Sequence, residues 1–546
     1  MTQPSYAHGI TSTPLLGDTI GDNLRRTVGR FGDREALVSR HQRYRATYKQ
    51  MWEEIGLIAR GLMARGVKKG DRVALWSPNR FEWIITQYAT SRIGAIMVNI
   101  NPAYRSHELE HVLKQSGCSL LVMARGFRQT NYVAMFKDLE ERLPEHLKAI
   151  VIDDEWAAIK EDARRVSEEE LHLREQTLDP DDPIDIQYTS GTTGFPKGAT
   201  LSHHNILNNG YFVGRTLKYS EKDRICVPVP LYHCFGQVMA SLAAISHGAC
   251  MIFPSEAFEP EAVLATVQAE RCTSLYGVPT MFIAEMEHPN FAKTDFASLR
   301  TGIMAGSPCP IEVMRRVQKE MHMDEVTICY GMTETSPVST QSKVDDPLEK
   351  RVATVGCVHP NIEIKIVDPS TSKVLPRGAV GELCTRGYSV MLGYWDDLHS
   401  TRQAIDGARW MHSGDLATMD ADGYVNIVGR IKDMVMRGGE NIYPREVEEF
   451  LFTKPEIADV QVIGVPDVKY GEELMAWVKL RPGASISGEE LRSFCKGKIA
   501  TYKIPRYWKF VDAFPMTVTG KIQKYKMREV AVEELKLQGA ASIKTA

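Results

Sequence analysis

The segment from Tyr188 to Gly198, YTSGTTGFPKG, crowds hydroxyl side chains, glycines and one lysine into a short stretch of chain. Glycine lets backbone N–H groups approach phosphate oxygens closely, the hydroxyls add donors, and Lys197 adds a point charge. That composition suits a polyphosphate, although a plain strand-to-helix turn can be built from the same residues. It is not a G-x-x-x-x-G-K-[ST] loop, because Pro196 stands where that loop needs glycine. Further on, YGMTET (Tyr330 to Thr335) sets Glu334 in a hydroxyl-rich loop behind an apolar string. A carboxylate there suits a hard cation such as Mg²⁺ beside phosphate oxygens, and Tyr330 offers a face to a base; a capping carboxylate beside a core tyrosine fits the pattern equally. In HSGDL, Asp415 can accept both hydroxyls of a ribose, with Arg430 as a donor beside it, while surface turns also use such residues. Lys521, in MTVTGKIQK, is one more cation and taken alone reads as a solvated charge.

Groups spread so widely need a large scaffold. The chain has 546 residues, more than one compact core accommodates, with 43% hydrophobic and 25% charged residues, as soluble globular chains have. Lys and Arg total 66 against 69 Asp and Glu, so no electrostatic footprint for nucleic acid exists. Thr47 with Gln50 predicts a capping box, followed by Met51, Ile55, Ile58, Ala59 and Leu62 at helical spacing up to Gly66. The strand RVALWS, a helix around Trp83 to Ile93, the run GAIMVNI, a helix from Ser106 and the strand SLLVMA follow. Alternation of this kind predicts an α/β fold with helix-flanked parallel sheet. After about residue 360 the strings IEIKIVDP, GELCTRGY and YVNIVGR predict a β-rich subdomain. Pro444 at the start of a helix, and a second capping box at Ser487 and Glu490, predict a small α+β unit. The expected organisation is a large N-terminal domain of layered helix-flanked sheets over 1–429, then a small mobile domain over 430–546 with its junction at Lys432.

No stretch approaches the length of a membrane span, and the N-terminus lacks a secretory pattern, which together predict a cytoplasmic protein. Peripheral membrane contact stays open, as do a monomer and a homodimer. The ten cysteines form no Cys-x-x-Cys pair, and the spacing predicts reduced structural residues rather than a metal cluster.

Taken in order, YTSGTTGFPKG, YGMTET, HSGDL, GRIKDMVMRGGENIYP and TGKIQK resemble the motifs of the adenylate-forming (AMP-binding) superfamily. The resemblance extends through PLYHCFG, YGVPTMF, MAGSPCP and GELCTRGYSVMLGYW over nearly the whole chain. VNINPAYRSHELEHVLKQS, RGGENIYPREVE and FCKGKI look most like the medium-chain fatty acyl-CoA ligases. The resemblance implies a carboxylic acid, ATP and CoA as substrates. The carboxylate attacks the α-phosphate of ATP to give acyl-AMP and pyrophosphate; the CoA thiol then displaces AMP. It implies that Thr189, Ser190, Gly191, Thr192, Thr193, Gly194 and Lys197 wrap the phosphates, and that Glu334 and Thr189 hold Mg²⁺. Lys521 would offset charge at the α-phosphate, and His233 would border the acyl pocket. Tyr330 and the Ala305, Gly306 and Ser307 turn would flank the adenine, Gly331, Met332 and Thr333 would also contact the cofactor, and Asp415 and Arg430 would hold the ribose. Lys432 would be the hinge that exchanges Lys521 for the Gly438-Gly439 loop, which faces the pantetheine of CoA.

Amino-acid adenylation is disfavoured because PLYHCFG holds no acid to pair an ammonium. Aryl acids stay open, since Tyr276, Val278, Met304 and Met332 suit an aromatic or an alkyl slot alike. A luciferase-like oxygenase and a catalytically silent nucleotide binder are the remaining alternatives; Lys521 with Glu334 argues against the silent binder. Lys521→Ala is expected to slow acyl-AMP formation by about 100-fold or more while sparing conversion of supplied acyl-AMP to the thioester, and Gly438→Leu is expected to do the reverse. Half-reaction assays decide this, and equal loss of both steps in either variant contradicts the assignment.

Overall fold

The computed structural model describes residues 3–189, 196–307, 309–438, 440–516 and 522–538. Ser190, Gly191, Thr192, Thr193, Gly194, Gly439 and Lys521 therefore lie outside the described residues.

Alternating strand and helix build two large sheets, each parallel at its centre. The seven-stranded sheet has Arg72–Trp76 and Ile96–Ile100 in the middle, with Pro183–Thr189 beside them and the antiparallel strand Lys197–Ser202 beyond. The nine-stranded sheet runs from Glu325–Gly331 and Thr301–Ala305 through Ser274–Gly277 and Arg224–Cys226 to Glu35–Ser39. Strand alternation gives each sheet two buried faces. Val73 and Leu75 point into the core between the sheets, and Ala74 and Trp76 into a separate outer core. In the second sheet Met251 and Phe253 join the shared core, while Cys250 and Ile252 face outward helices.

The shared core holds a layer of helices. Tyr48–Ala64 begins at Thr47, whose side chain accepts from the Gln50 amide in the expected capping box, and it buries Met51, Ile55, Ile58, Ala59 and Leu62. Phe81–Ile93 is buried at every position from Glu82 onward, so its polar residues must find partners inside the protein. Phe235–Leu242, which follows PLYHCFG, is π-helical. Sequence periodicity did not announce that feature, which recurs at functional sites.

A five-stranded antiparallel sheet carries Ile362–Val367, Gly381–Gly387, Met411–Met419 and Val425–Arg430. Its edge is Tyr6–His8, from an N-terminal stretch whose sequence predicts no strand. HSGDL lies within the strand Met411–Met419, not in a turn. The short helical turn Ile431–Asp433 then leads to Val435–Arg437, which belongs to a different sheet with Ile457–Asp467 and Gly471–Leu480. Helices Pro444–Phe452 and Gly488–Cys495 cover it, the second with the expected Ser487–Glu490 box. Among the described residues no helix is long and apolar enough to cross a membrane.

Arg92, at the end of the buried helix, shows what burial demands. Its guanidinium lies 3.6 Å from the centre of the Trp52 ring, and its Nε donates to Glu175 Oε1 at 2.6 Å. Removing Glu175 leaves a buried cation without its carboxylate, whereas the Arg25 contact with the same Glu175 is solvent-exposed. Glu175→Ala is therefore expected to cost about 3 kcal/mol or more and Arg25→Ala less than about 1 kcal/mol. Urea denaturation midpoints check this, and similar losses in the two variants would contradict it.

Candidate active site

The carboxyl ends of strands from both large sheets open onto one cleft of about 3510 Å³, as is usual for ligand sites in α/β folds. Pro183–Thr189 and Lys197–Ser202 form a hairpin in which Thr189 lies opposite Lys197, and Thr189 Oγ1 donates to the Lys197 carbonyl at 3.4 Å. Gly393–Tyr394 adds a short strand to this hairpin. The Lys197 ammonium stands 5.2 Å from the centre of the Tyr394 ring, and the Tyr394 hydroxyl donates to Glu334 Oε1 at 2.8 Å. Burial pushes the Tyr394 hydroxyl pKa up, so it stays a donor. One side chain thus ties the lysine of the first motif to the carboxylate of the second. Glu334 sits in the single turn Thr333–Thr335 and is only 6% exposed.

A second carboxylate is held the same way. The Tyr330 hydroxyl donates to Asp415 Oδ2 at 2.7 Å, and Arg430 Nε lies 3.2 Å from Asp415 Oδ1. Asp415 and Arg430 are cross-strand partners in the five-stranded sheet, on strands joined by the short turn 420–424, which explains their pairing. The Asp415 amide donates to Ser413 Oγ at 3.0 Å, and that hydroxyl donates to the Leu383 carbonyl at 2.6 Å. Burial and the neighbouring Asp415 carboxylate push the Tyr330 hydroxyl pKa well up.

The turn Ala305, Gly306 and Ser307 follows its strand with Gly306 at φ +90°, a conformation that favours glycine. At Gly331 an added Cβ would lie 1.7 Å from the Pro337 carbonyl oxygen, so only glycine fits. These turns share the cleft wall with Met332, Thr333, His233 and Lys432. His233 Nδ1 accepts from the Phe235 amide at 3.2 Å, fixing the ring at the start of the π-helical segment. Gly438, at φ +60°, stands away from this wall against the Tyr470 ring.

Of the side chains expected to line an acyl slot, Met332 lies on the cleft wall, and Tyr276, Val278 and Met304 do not. Tyr276 is wholly buried, stacks on Phe235 and donates to the Met239 carbonyl at 2.9 Å; its strand face points into the core. Phe235 and Met239 line the cleft in its place, with Asn99 and Gln187. Sequence reading missed these, along with Tyr394 and Ser413; the signal for Tyr394 was its place in the quoted string GELCTRGYSVMLGYW. Cys309 and Cys329 also reach the wall, and burial pushes the Cys309 thiol up to about 12 and that of Cys329 well up.

Beside Asp415, three donors on neighbouring strands lie within 4.8 Å of one another: Glu382, Cys384 and His412. His412 Nδ1 is 3.5 Å from Cys384 Sγ and 2.8 Å from Glu382 Oε2, and Glu382 Oε1 accepts from the Gly414 amide at 3.0 Å. Hydrogen bonding to Cys384 and Glu382 pushes the His412 pKa up to about 10.

The AMP-binding enzyme model matches residues 24–395, and the AMP-binding enzyme C-terminal domain model matches residues 446–521. The Bacillus subtilis protein YngI, an acyl-CoA synthetase by name, is 48% identical over 96% of this chain and 99% of its own. The mitochondrial medium-chain acyl-CoA ligase ACSF2 of Danio rerio is 44% identical over 98% of this chain and 91% of its own. The crystal structure of ATP-bound MatB from Rhodopseudomonas palustris superposes with a TM-score of 0.84 at 29% identity, over 94% of this chain and 99% of that one. The chain belongs to the AMP-binding enzyme family, and within it to the acyl-CoA synthetases, which are AMP-forming acid–thiol ligases.

The His412 cluster makes stability depend on pH. A histidine whose folded pKa is raised from 6.5 to about 10 stabilises fully below 6.5 and loses that contribution as pH climbs toward 10. The melting temperature of the native protein is expected to exceed that of His412→Gln most at the low end of this window, with the gap closing at the high end. A gap that stays constant across the window would contradict the charged assignment.

Proposed function

We propose that this acyl-CoA synthetase activates medium-chain fatty acids, with the two tyrosine-held carboxylates as the fixed points of its nucleotide site. The observation that carries this is their common cleft: Glu334 bridged through Tyr394 to Lys197, and Asp415 bridged to Tyr330 and Arg430, with Phe235 and Met239 on the same wall. The chain length rests on ACSF2, a medium-chain acyl-CoA ligase by name.

The first step brings an anionic carboxylate to an anionic phosphate, so positioning and charge compensation dominate and no general base is required. Asp415 accepts the ribose hydroxyls while Arg430 braces its other oxygen. Thr189, Lys197 and the segment Ser190 to Gly194 take the phosphates, and the Gly306 and Gly331 turns, with Tyr330, flank the base. The buried Glu334 carboxylate and the Thr189 hydroxyl are hard oxygen donors, which fits Mg²⁺. When bound, the cation offsets phosphate charge. Lys521 adds a second positive charge at the α-phosphate. His233, held by the Phe235 amide, borders the point where the acyl group enters.

For the second step, the residues after 430 turn as a small domain about Lys432. That residue lies in the short turn between strands of two separate sheets, where a change of backbone angles disturbs neither ladder. The turn withdraws Lys521 and brings Gly438 and Gly439 toward the pantetheine of CoA.

The test is pyrophosphate release from ATP and Mg²⁺ over a panel from acetate through octanoate and palmitate to benzoate and amino acids, with and without CoA. The expected result is a maximum at medium-length alkanoates with AMP and acyl-CoA as products. A maximum at benzoate or at amino acids would overturn the fatty-acid assignment.

A further inference from the structure

The wall of the cleft next to Phe235 carries a cluster of polar side chains that neither chemical step uses. Asn99 and Gln187 lie opposite each other in the parallel register of their strands, and both line the cleft. Behind them are Asp185, from the same strand as Gln187, and Gln237, from the π-helical segment; all four are buried. Asn99 Nδ2 donates to Asp185 Oδ1 at 2.8 Å and to Gln237 Oε1 at 2.8 Å, so both amide hydrogens are committed and the orientation of the amide is fixed. Gln237 Nε2 donates to Asp185 Oδ1 at 3.0 Å, and Gln237 Oε1 also accepts from Gln187 Nε2. Two acceptors are left over: Asn99 Oδ1 and Asp185 Oδ2 have no partner among the described residues.

A slot meant for a bare alkyl chain gains nothing from such a wall, because a buried acceptor without a donor is costly and a methylene cannot supply one. Asn99 Oδ1 belongs to a residue on the cleft wall, and the group that satisfies it must donate a hydrogen bond. We propose that the acyl slot reads a hydroxyl group carried on the substrate chain, with Asn99 Oδ1 as its acceptor, so that hydroxylated carboxylic acids are preferred over plain alkanoates. This rests on the fatty-acid reading above and narrows its substrate class. A neutral donor suits the site better than an ammonium. Asp185 Oδ1 is already shared by two amides, and burial pushes the Asp185 carboxyl up to about 7, so it carries only part of a full negative charge near neutral pH. Gln187 precedes Thr189 by two residues, which sets this level about 7 Å deeper along the strand. The hydroxyl recognised is therefore in the body of the chain, not beside the reacting carboxylate.

The experiment measures kcat/KM for acyl-CoA formation by the full-length protein with octanoate and with octanoates hydroxylated at successive carbons, and repeats it with Asn99→Leu. The native protein is expected to favour a mid-chain alcohol over octanoate by about tenfold or more, through KM. Asn99→Leu is expected to bring that ratio to about one or to invert it. A native protein that turns over octanoate at least as well as every hydroxylated acid overturns the proposal, whether or not the variant folds. Equal losses with both acids in Asn99→Leu would mark a merely structural residue and overturn it as well. Preference for an amino group placed at the same carbon would overturn the choice of a neutral donor. Silence with every aliphatic acid would overturn the fatty-acid reading itself, an outcome distinct from turnover without hydroxyl preference.

Discussion

Two sheets share one layer of helices, and the helix Phe81–Ile93 in that layer has no face left for solvent. Its apolar residues, Trp83, Ile84, Ile85 and Tyr88 among them, join the core common to both sheets. Most of its polar groups find partners inside the protein, though Trp83 Nε1 and Arg92 Nη1 have none among the described residues. Thr86, Thr90 and Ser91 donate back to the helix carbonyls, while Tyr88 and Gln87 reach Ser241 across to the π-helical segment. Because the sheets cannot slide past this layer, the carboxyl ends of Pro183–Thr189, Thr301–Ala305 and Glu325–Gly331 are held around a single opening. Thr189, Ala305, Tyr330 and Gly331 lie at those ends, and Asp415 and Arg430 on the antiparallel sheet beside them.

Within that opening the same device appears twice: a half-buried tyrosine whose hydroxyl is kept protonated donates to a carboxylate. Tyr394 holds Glu334, and Tyr330 holds Asp415. A donor of this kind orients a carboxylate without neutralising it, whereas a lysine or arginine in contact with both oxygens would compete with the ligand. Arg430 Nε lies 3.2 Å from Asp415 Oδ1, and its side chain is 55% exposed.

Much of this was legible in the chain. The capping boxes at Thr47 and Ser487, the apolar strand runs and the spacing of Met51 to Leu62 encode local geometry, and local geometry is what periodicity reports. The pairing of Tyr6–His8 with Ile362–Val367 left no trace, because register between distant strands has no sequence period. HSGDL reads as turn chemistry although it lies in a strand, since Gly414 adopts φ +70° there. Tyr276 and Met304 stand beside recognisable motifs, and only the direction of their strand faces reveals that they fill the core. The Asp185–Asn99–Gln237 cluster draws on three separate segments, none of which looks polar enough alone to announce it. PLYHCFG holds no acid, yet the fold brings Asp185 from another strand against Gln237, just behind that segment.

The cysteines on the cleft wall bear on the fate of the intermediate. An acyl-adenylate is a strong acylating agent, and the thiolate, not the thiol, is the sulfur nucleophile that it would modify. Cys309 and Cys329 lie on the cleft wall, where burial pushes both thiols up and disfavours the thiolate. A buried thiol held in its protonated form is a poor nucleophile, so self-acylation is disfavoured at these two positions.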